Sequence, residues 1–313
     1  MALLDILTPI VTLALVGHLV TRLKLLSDED VNALARFSFG LLIPCLLFIN
    51  TAEAEFGLGA SLNLLLGYYG AVLVTYVVAI VLGKLAFNYD AKEQSIFAMG
   101  AAYPNTTIVG IPLVLQALGD QALTPLFLII AIQNLVLFSI GTFFAERENL
   151  SFTNIVESLI LLLQQLLRSP ITLGLIAGLA VNLLSIPLPA ALRSTFHLFS
   201  SAAVPTALFV LGASLTRYRI RDQWQPALSM TILKLLVMPL VAWILLFKIL
   251  ELPSLWAAAG LLAAAMPVGI NAYAFGTRYQ CALAQVAAGT LLSALLSLLS
   301  VGGILIYLGS LGL

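Results

Sequence analysis

The chain has 313 residues, of which 61% are hydrophobic and only 9% charged, and its net charge is zero. A water-soluble domain is about half apolar and about a quarter charged, so this chain has too few charges to cover a soluble surface and the bilayer must be its solvent. Zero net charge gives no reason to expect a nucleic-acid partner, and Cys45 and Cys281 have neither the CxxC nor the His-rich spacing of a metal centre or disulfide framework.

A spanning helix needs about 20 mostly apolar residues. Ten stretches meet that need, at roughly 3–20, 32–50, 63–86, 94–118, 124–145, 169–185, 195–215, 226–249, 255–278 and 282–310. The first reads as a span rather than a cleavable signal: it lacks a basic leader, carries Asp5 and Pro9, and shows no small-residue cleavage site. Ser27-Asp28-Glu29-Asp30 is an N-cap cluster for the second. The apolar stretch 153–167, interrupted by Glu157, Gln164 and Gln165 and followed by Arg168, reads as an interfacial lead-in to the sixth. The expected organisation is all-α: a five-helix repeat over 1–145, a cytoplasmic or interfacial linker over 146–168, and an inverted five-helix repeat over 169–313.

Basic residues set the orientation. One set of connections carries Arg22, Lys24, Arg36, Lys84, Lys92, Arg147, Arg168, Arg217, Arg219, Arg221 and Arg278; the opposite set carries only Arg193 and Lys248. Positive charge collects on the cytoplasmic side, which places both termini outside the cytoplasm. The repeat shows in matched residues. "TPIVTLALVGHLV" from Thr8 resembles "SPITLGLIAGLAV" from Ser169, with Gly17 and Gly178 at one offset. Pro9 and Pro170 each precede a second proline, Pro44 and Pro205, by 35 residues; Pro104 and Pro267 follow 60 and 62 residues later. An odd number of spans per repeat inverts the second, and transporters of this design bind substrate at the midplane between repeats.

The fourth span reads "SIFAMGAAYPNTTIVGIPLVLQALG". Pro104 has no N–H and clashes with the preceding turn, so the helix should break near Ala101–Asn105. Gly110 and Pro112 leave the start of its second half open. Pro267 sits at the corresponding place in the ninth span, "AAAGLLAAAMPVGINAYAFGTRY". Each break exposes a half-helix N-terminus, whose free N–H groups and positive dipole suit a carboxylate. Asn105 and Asn271 can donate amides there and Thr106 and Thr107 hydroxyls. The same residues also fit a pair of packing kinks whose asparagines satisfy loose carbonyls.

"YPNTTIVGIPLVLQALG" and "AAAMPVGINAYAF" resemble the crossover segments of the auxin efflux carrier family, related to the bile-acid and arsenite transporter folds. Hydropathy agrees along the whole chain, and the long central loop of the plant exporters is absent, as in bacterial members, some of them linked to dicarboxylates. The resemblance implies a scaffold of spans one, two, six and seven and a transport domain of spans three to five and eight to ten. It also implies crossing of the broken fourth and ninth spans, elevator-type alternating access, a homodimer, and residence in a bacterial inner membrane. Pro104, Asn105 and Pro267 carry over to the two crossover segments.

Other intramembrane polar groups are Asn50, at the outer end of the second span, and Gln133 and Asn134, midway along the fifth, which can line the cavity or bond across helices. His18 and His197 read as interfacial or packed. Lys234 is the one base well inside a span; it can face the substrate anion or freed crossover carbonyls from a cavity, or snorkel to the cytoplasmic interface near Arg217, Arg219 and Arg221. All fourteen Asp and Glu lie in loops or at helix ends, which argues against a carboxylate proton relay. The expected function is carriage of a small organic anion, auxin-like or a mono- or dicarboxylate, with a sodium-coupled symporter of the bile-acid type as the alternative. A channel is a weaker fit to paired broken helices. No hydrolase or metalloprotease motif supports an enzyme, and no cofactor or metal is implied.

Overall fold

The computed structural model describes residues 3–53, 58–147, 170–214 and 223–313. Almost all of the 146–168 linker, the lead-in at 153–167, and Arg217, Arg219 and Arg221 lie outside them. We number the helices α1 Leu3–Arg22, α2 Asp28–Ala52, α3 Leu58–Phe87, α4 Ala91–Ala102, α5 Thr106–Leu118, α6 Leu123–Ala145, α7 Pro170–Leu183, α8 Ala190–Ser214, α9 Trp224–Ile249, α10 Ser254–Ala265, α11 Ile270–Tyr279 and α12 Leu283–Ser310. Among the described residues six are long and apolar enough to cross a membrane: α2, α3, α6, α8, α9 and α12. The chain is a multi-pass integral membrane protein. The predicted fourth and ninth spans are each cut in two, into α4 and α5 and into α10 and α11, at their prolines.

Local chemistry explains the ends and the irregular turns. Ser27 caps α2 in a reciprocal box: its hydroxyl accepts from the Asp30 N–H, and the Asp30 carboxylate accepts from the Ser27 N–H at 2.9 Å. Asp90 and Glu93 build the same box at the start of α4. Widened π-turns at Ser38–Leu42, Thr106–Gly110 and Leu233–Val237 each end two residues before a proline, Pro44, Pro112 or Pro239. A proline cannot donate to the carbonyl four residues back. The widened turn re-pairs the backbone one residue further, with Ile43, Ile111 and Met238 donating to Ser38, Thr106 and Leu233.

Helix packing relies on small residues, as bilayer helices do. α1 lies against α8, where a Cβ at Gly17 would stand 2.1 Å from the Phe209 carbonyl oxygen and one at Gly212 only 1.7 Å from that of Ala14. α7 lies against α2 in the same manner, with Gly174 on Pro44 and Gly178 on Phe48. Around the breaks, α4 and α10 are enclosed: Gln94–Ala102 and Ala257–Ala265 are buried throughout. Met230 of α9 fills the space above Gly100 of α4 and Gly289 of α12. Exposed leucines such as Leu66, Leu85, Leu236 and Leu299 give the outer surface its lipid-facing character.

Candidate functional site: the crossing of two broken helices

α4 stops at Ala102 and α10 at Ala265, and the extended segments that follow them cross. Pro104 and Val268 form an antiparallel bridge: the Asn105 N–H donates to the Pro267 carbonyl and the Gly269 N–H to the Tyr103 carbonyl, both at 2.8 Å. With no water in a bilayer core, backbone groups freed by a break must find partners inside the protein, and the two breaks partner each other. Closeness demands glycine at 269, where a Cβ would lie 2.7 Å from the Tyr103 ring and 2.9 Å from the Pro104 oxygen. The groups left over go to side chains. Gln133 Nε2 donates to the Pro104 carbonyl at 3.2 Å, Ser293 Oγ accepts from the Val268 N–H at 3.0 Å, and Lys234 Nζ donates to the Ala264 carbonyl at 2.5 Å.

One side of the crossing borders a cavity of about 360 Å³. The crossing side is polar, with Tyr103, Asn105, Thr106, Thr107, Gln133, Asn134 and Asn271; the side from α2, α7 and α8 is largely apolar, with Phe39, Ile171, Leu175, Val210 and Leu211 beside the polar Asn32, Thr172 and Ser214. The polar end is a connected network. Thr106 donates to Gln133 Oε1 at 2.8 Å, Tyr103 donates its hydroxyl to Asn134 Oδ1, and Asn271 Nδ2 donates to the Tyr103 oxygen at 2.7 Å and to Asn134 Oδ1 at 3.1 Å. Asn105 Oδ1 caps α5 by accepting from the Ile108 N–H at 3.3 Å. That leaves the Nδ2 hydrogens of Asn105 and Asn134, the Thr107 hydroxyl and the first N–H groups of α5, which a helix start leaves without intrahelical acceptors. These donors lie at the positive end of a helix dipole. The arrangement suits an anion.

The sequence pattern of the family described as "Membrane transport protein" matches residues 3–305. The chain belongs to that family. It is a membrane transporter, and the likeness to auxin efflux carriers noted at the crossover segments extends along the whole chain. It is 24% identical over 302 residues to the "Putative malonate transporter" of Rhizobium meliloti, covering 96% of this chain and 94% of that one. It is 22% identical over 291 residues to the "Uncharacterized transporter YfdV" of Escherichia coli, covering 87% of each chain.

Of the residues singled out in the sequence, the transporter gathers Pro104, Asn105, Thr106, Thr107, Gln133, Asn134 and Asn271 at the cavity. Pro267 lies in the crossing, its carbonyl bound by Asn105. Asn50 lies apart. Its Nδ2 donates to the Leu46 carbonyl at 2.9 Å, and it lines a second cavity of about 690 Å³, with Glu53, Asp120 and His197, at the other ends of α2 and α8. There Glu53 pairs with Arg193 at 3.0 Å and stands 3.6 Å from His197. Lys234 does not line the crossover cavity but does reach a freed crossover carbonyl: its side chain is fully buried, with the nitrogen on the Ala264 carbonyl and 3.2 Å from Met238 Sδ. Three positions were not anticipated. Gly269 and Ser293 carry no sequence mark of their own, whereas Tyr103 could have been suspected, since the residue before a proline stands in the break with its side chain pinned.

Proposed function

We propose that the transporter carries a small organic anion by elevator-type alternating access, with the carboxylate at the crossing and the remainder against the apolar wall. The cavity, donor-rich at the crossing and largely apolar opposite it, carries this reading. Of the scaffold helices α1, α2, α7 and α8, the last three border it, and α5, α6, α11 and the segment after α4 border it from a moving body. Ten spans in two inverted repeats accommodate this division, with α1 on α8 mirrored by α7 on α2. The two cavities fit the two faces of such a carrier. The basic asymmetry puts the crossover cavity on the cytoplasmic side, both termini on the other, and a bacterial inner-membrane homodimer is the expected assembly. The name of the Rhizobium relative makes malonate the first acid to try. The apolar wall favours acids with a larger hydrocarbon body.

The test is thermal unfolding of purified protein with malonate, malate and indole-3-acetate, each beside its uncharged amide, followed by uptake into proteoliposomes. A ligand of the folded state raises the unfolding temperature. At least one acid should do so, its amide should not, and that acid should be taken up. Equal shifts by acid and amide, or an acid that binds and is never transported, would defeat the anion-carrier reading. Uptake that stops when choline replaces sodium would favour the sodium-coupled symporter.

A further inference from the structure

Lys234 is a basic side chain with no accessible surface, and no carboxylate among the described residues pairs with it. Its position is determined by two prolines. Pro239 imposes the π-turn Leu233–Val237 in which Lys234 sits, and Pro267 ends α10 and frees the Ala264 carbonyl that its nitrogen reaches. That carbonyl belongs to the last turn of α10, the negative end of the helix dipole. In broken-helix carriers, such half-helix C-termini and unwound carbonyls are where a dissolved sodium ion is held. Here several oxygens around the second break already accept hydrogen bonds. Ala263 accepts from the Met266 N–H, the Pro267 carbonyl accepts from Asn105, and Ser293 accepts from Val268 while donating to Thr290. The other neighbour of the ammonium is the Met238 thioether, a soft atom that suits an N–H donor and is a poor ligand for a hard cation.

We propose that Lys234 is a tethered cation standing where a dissolved coupling ion would bind, so that the transporter moves its anion without sodium. The consequence for charge movement rests on the carrier reading above. α9 and α10 belong to the same moving body as the polar end of the cavity, so the ammonium travels with the substrate. The body loaded with a singly charged acid crosses with its charges cancelled; the empty body crosses with one positive charge. Net flux then depends on voltage through the empty return, whereas exchange of substrate for substrate does not.

The closing experiment has two arms. Purified wild type and Lys234→Ala, with Lys234→Arg as the charge-retaining control, are unfolded by heat in sodium chloride and in choline chloride at equal ionic strength. Wild type and Lys234→Arg should unfold at the same temperature in both salts. Lys234→Ala should unfold lower in choline and recover part of the loss in sodium, which fits the vacated oxygens. Sodium stabilisation of the wild type, or a Lys234→Ala protein as stable as wild type in both salts, would overturn the proposal; should the alanine variant fail to fold, the wild-type salt comparison still decides. In the second arm wild-type proteoliposomes take up a monocarboxylate, indole-3-acetate, under an imposed potassium diffusion potential. Net uptake should change several-fold with potential, about tenfold for each 1.4 kcal/mol felt by the limiting step, and its exchange should not respond. Exchange that follows the potential as steeply as net uptake with a monocarboxylate such as indole-3-acetate would overturn the travelling-cation proposal. Failure of every acid to move condemns the carrier reading and leaves the salt result on Lys234 standing.

Discussion

The two breaks solve one problem with different chemistry. At the first, after α4, the freed Pro104 carbonyl is covered by a neutral amide, Gln133, and Asn105 caps the following half-helix. The residues that do this also face the cavity. At the second, after α10, the freed Ala264 carbonyl is covered by a lysine that has no access to the cavity, and Val268 is held by Ser293, also buried. A neutral, partly open break can exchange partners, since its leftover donors can turn to a ligand. A break closed by a buried ammonium cannot do so without leaving a cation unpaired in a low-dielectric interior. The difference assigns recognition to the first break and rigidity and charge to the second, although their backbones meet in one bridge.

The strongest way to break this comparison is to separate the two segments. Gly269→Val places side-chain atoms where even a Cβ would lie 2.7 Å from the Tyr103 ring. Overpacking costs about 1–3 kcal/mol and loss of two backbone bonds about 1 kcal/mol each. Transport should vanish and the unfolding temperature fall. A Gly269→Val protein with wild-type uptake would show that the crossing is not needed for function. Removing the covering groups then separates the breaks. Lys234→Met and Gln133→Leu each orphan a carbonyl, at about 1–3 kcal/mol. Gln133→Leu should also weaken substrate affinity because it borders the cavity and releases Thr106. Lys234→Met should lower stability and leave apparent affinity less changed. Reversed effects on affinity, measured by ligand-induced thermal shift, would exchange the roles given to the two breaks.

Asn105 is a smaller and sharper case. Its side chain caps α5 and its backbone N–H holds Pro267. Asn105→Ala keeps the backbone bond and loses the cap, about 0.5–2 kcal/mol, together with an amide donor. Uptake should fall well beyond what the modest loss of stability explains, and Asn105→Asp, which keeps the capping oxygen and adds negative charge, should be worse for an anion than alanine is. If the aspartate variant transports as well as wild type, Asn105 is a cap and nothing more.

Much of this was legible before the structure because proline and hydropathy act locally. Pro104 fixes the break at the residues expected, and the acidic cluster at Ser27 becomes the cap of α2. The π-turn at Thr106–Gly110 settles where the half-helix after Pro104 begins, which Gly110 and Pro112 had left open. What stayed hidden depends on contacts far apart in sequence. Lys234 had two open readings because depth along one helix says nothing of the Ala264 carbonyl 30 residues away. Asn50, at the outer end of its span, and Asn105, at the break, were both candidate site residues in the sequence, yet they line different cavities. Ser293 resembles any serine of α12 until Val268 is seen against it.

Tyr103→Phe gives the smallest expected effect and the finest test of how recognition is organised. The phenol is buried, donates to Asn134, accepts from Asn271, and so ties α6 to α11 across the crossing. Phenylalanine keeps the ring against Phe138 and the bridge backbone, and removes only the hydroxyl. A net hydrogen bond is worth about 0.5–1.5 kcal/mol, so the unfolding temperature should drop slightly. The sign of the effect on affinity is the informative part. If the hydroxyl merely occupies donors, Asn271 and Asn134 are released in the variant and the anion should bind as tightly or more tightly. If instead it holds the two amides in the geometry the carboxylate needs, affinity should fall by about tenfold for each 1.4 kcal/mol of lost organisation while stability barely changes. We expect the second outcome, because Asn271 reaches Asn134 and Tyr103 together and loses half of that anchorage without the phenol. Tighter binding by Tyr103→Phe, read as a larger shift with the same acid, would move the organising role from Tyr103 to Gln133 and Asn105.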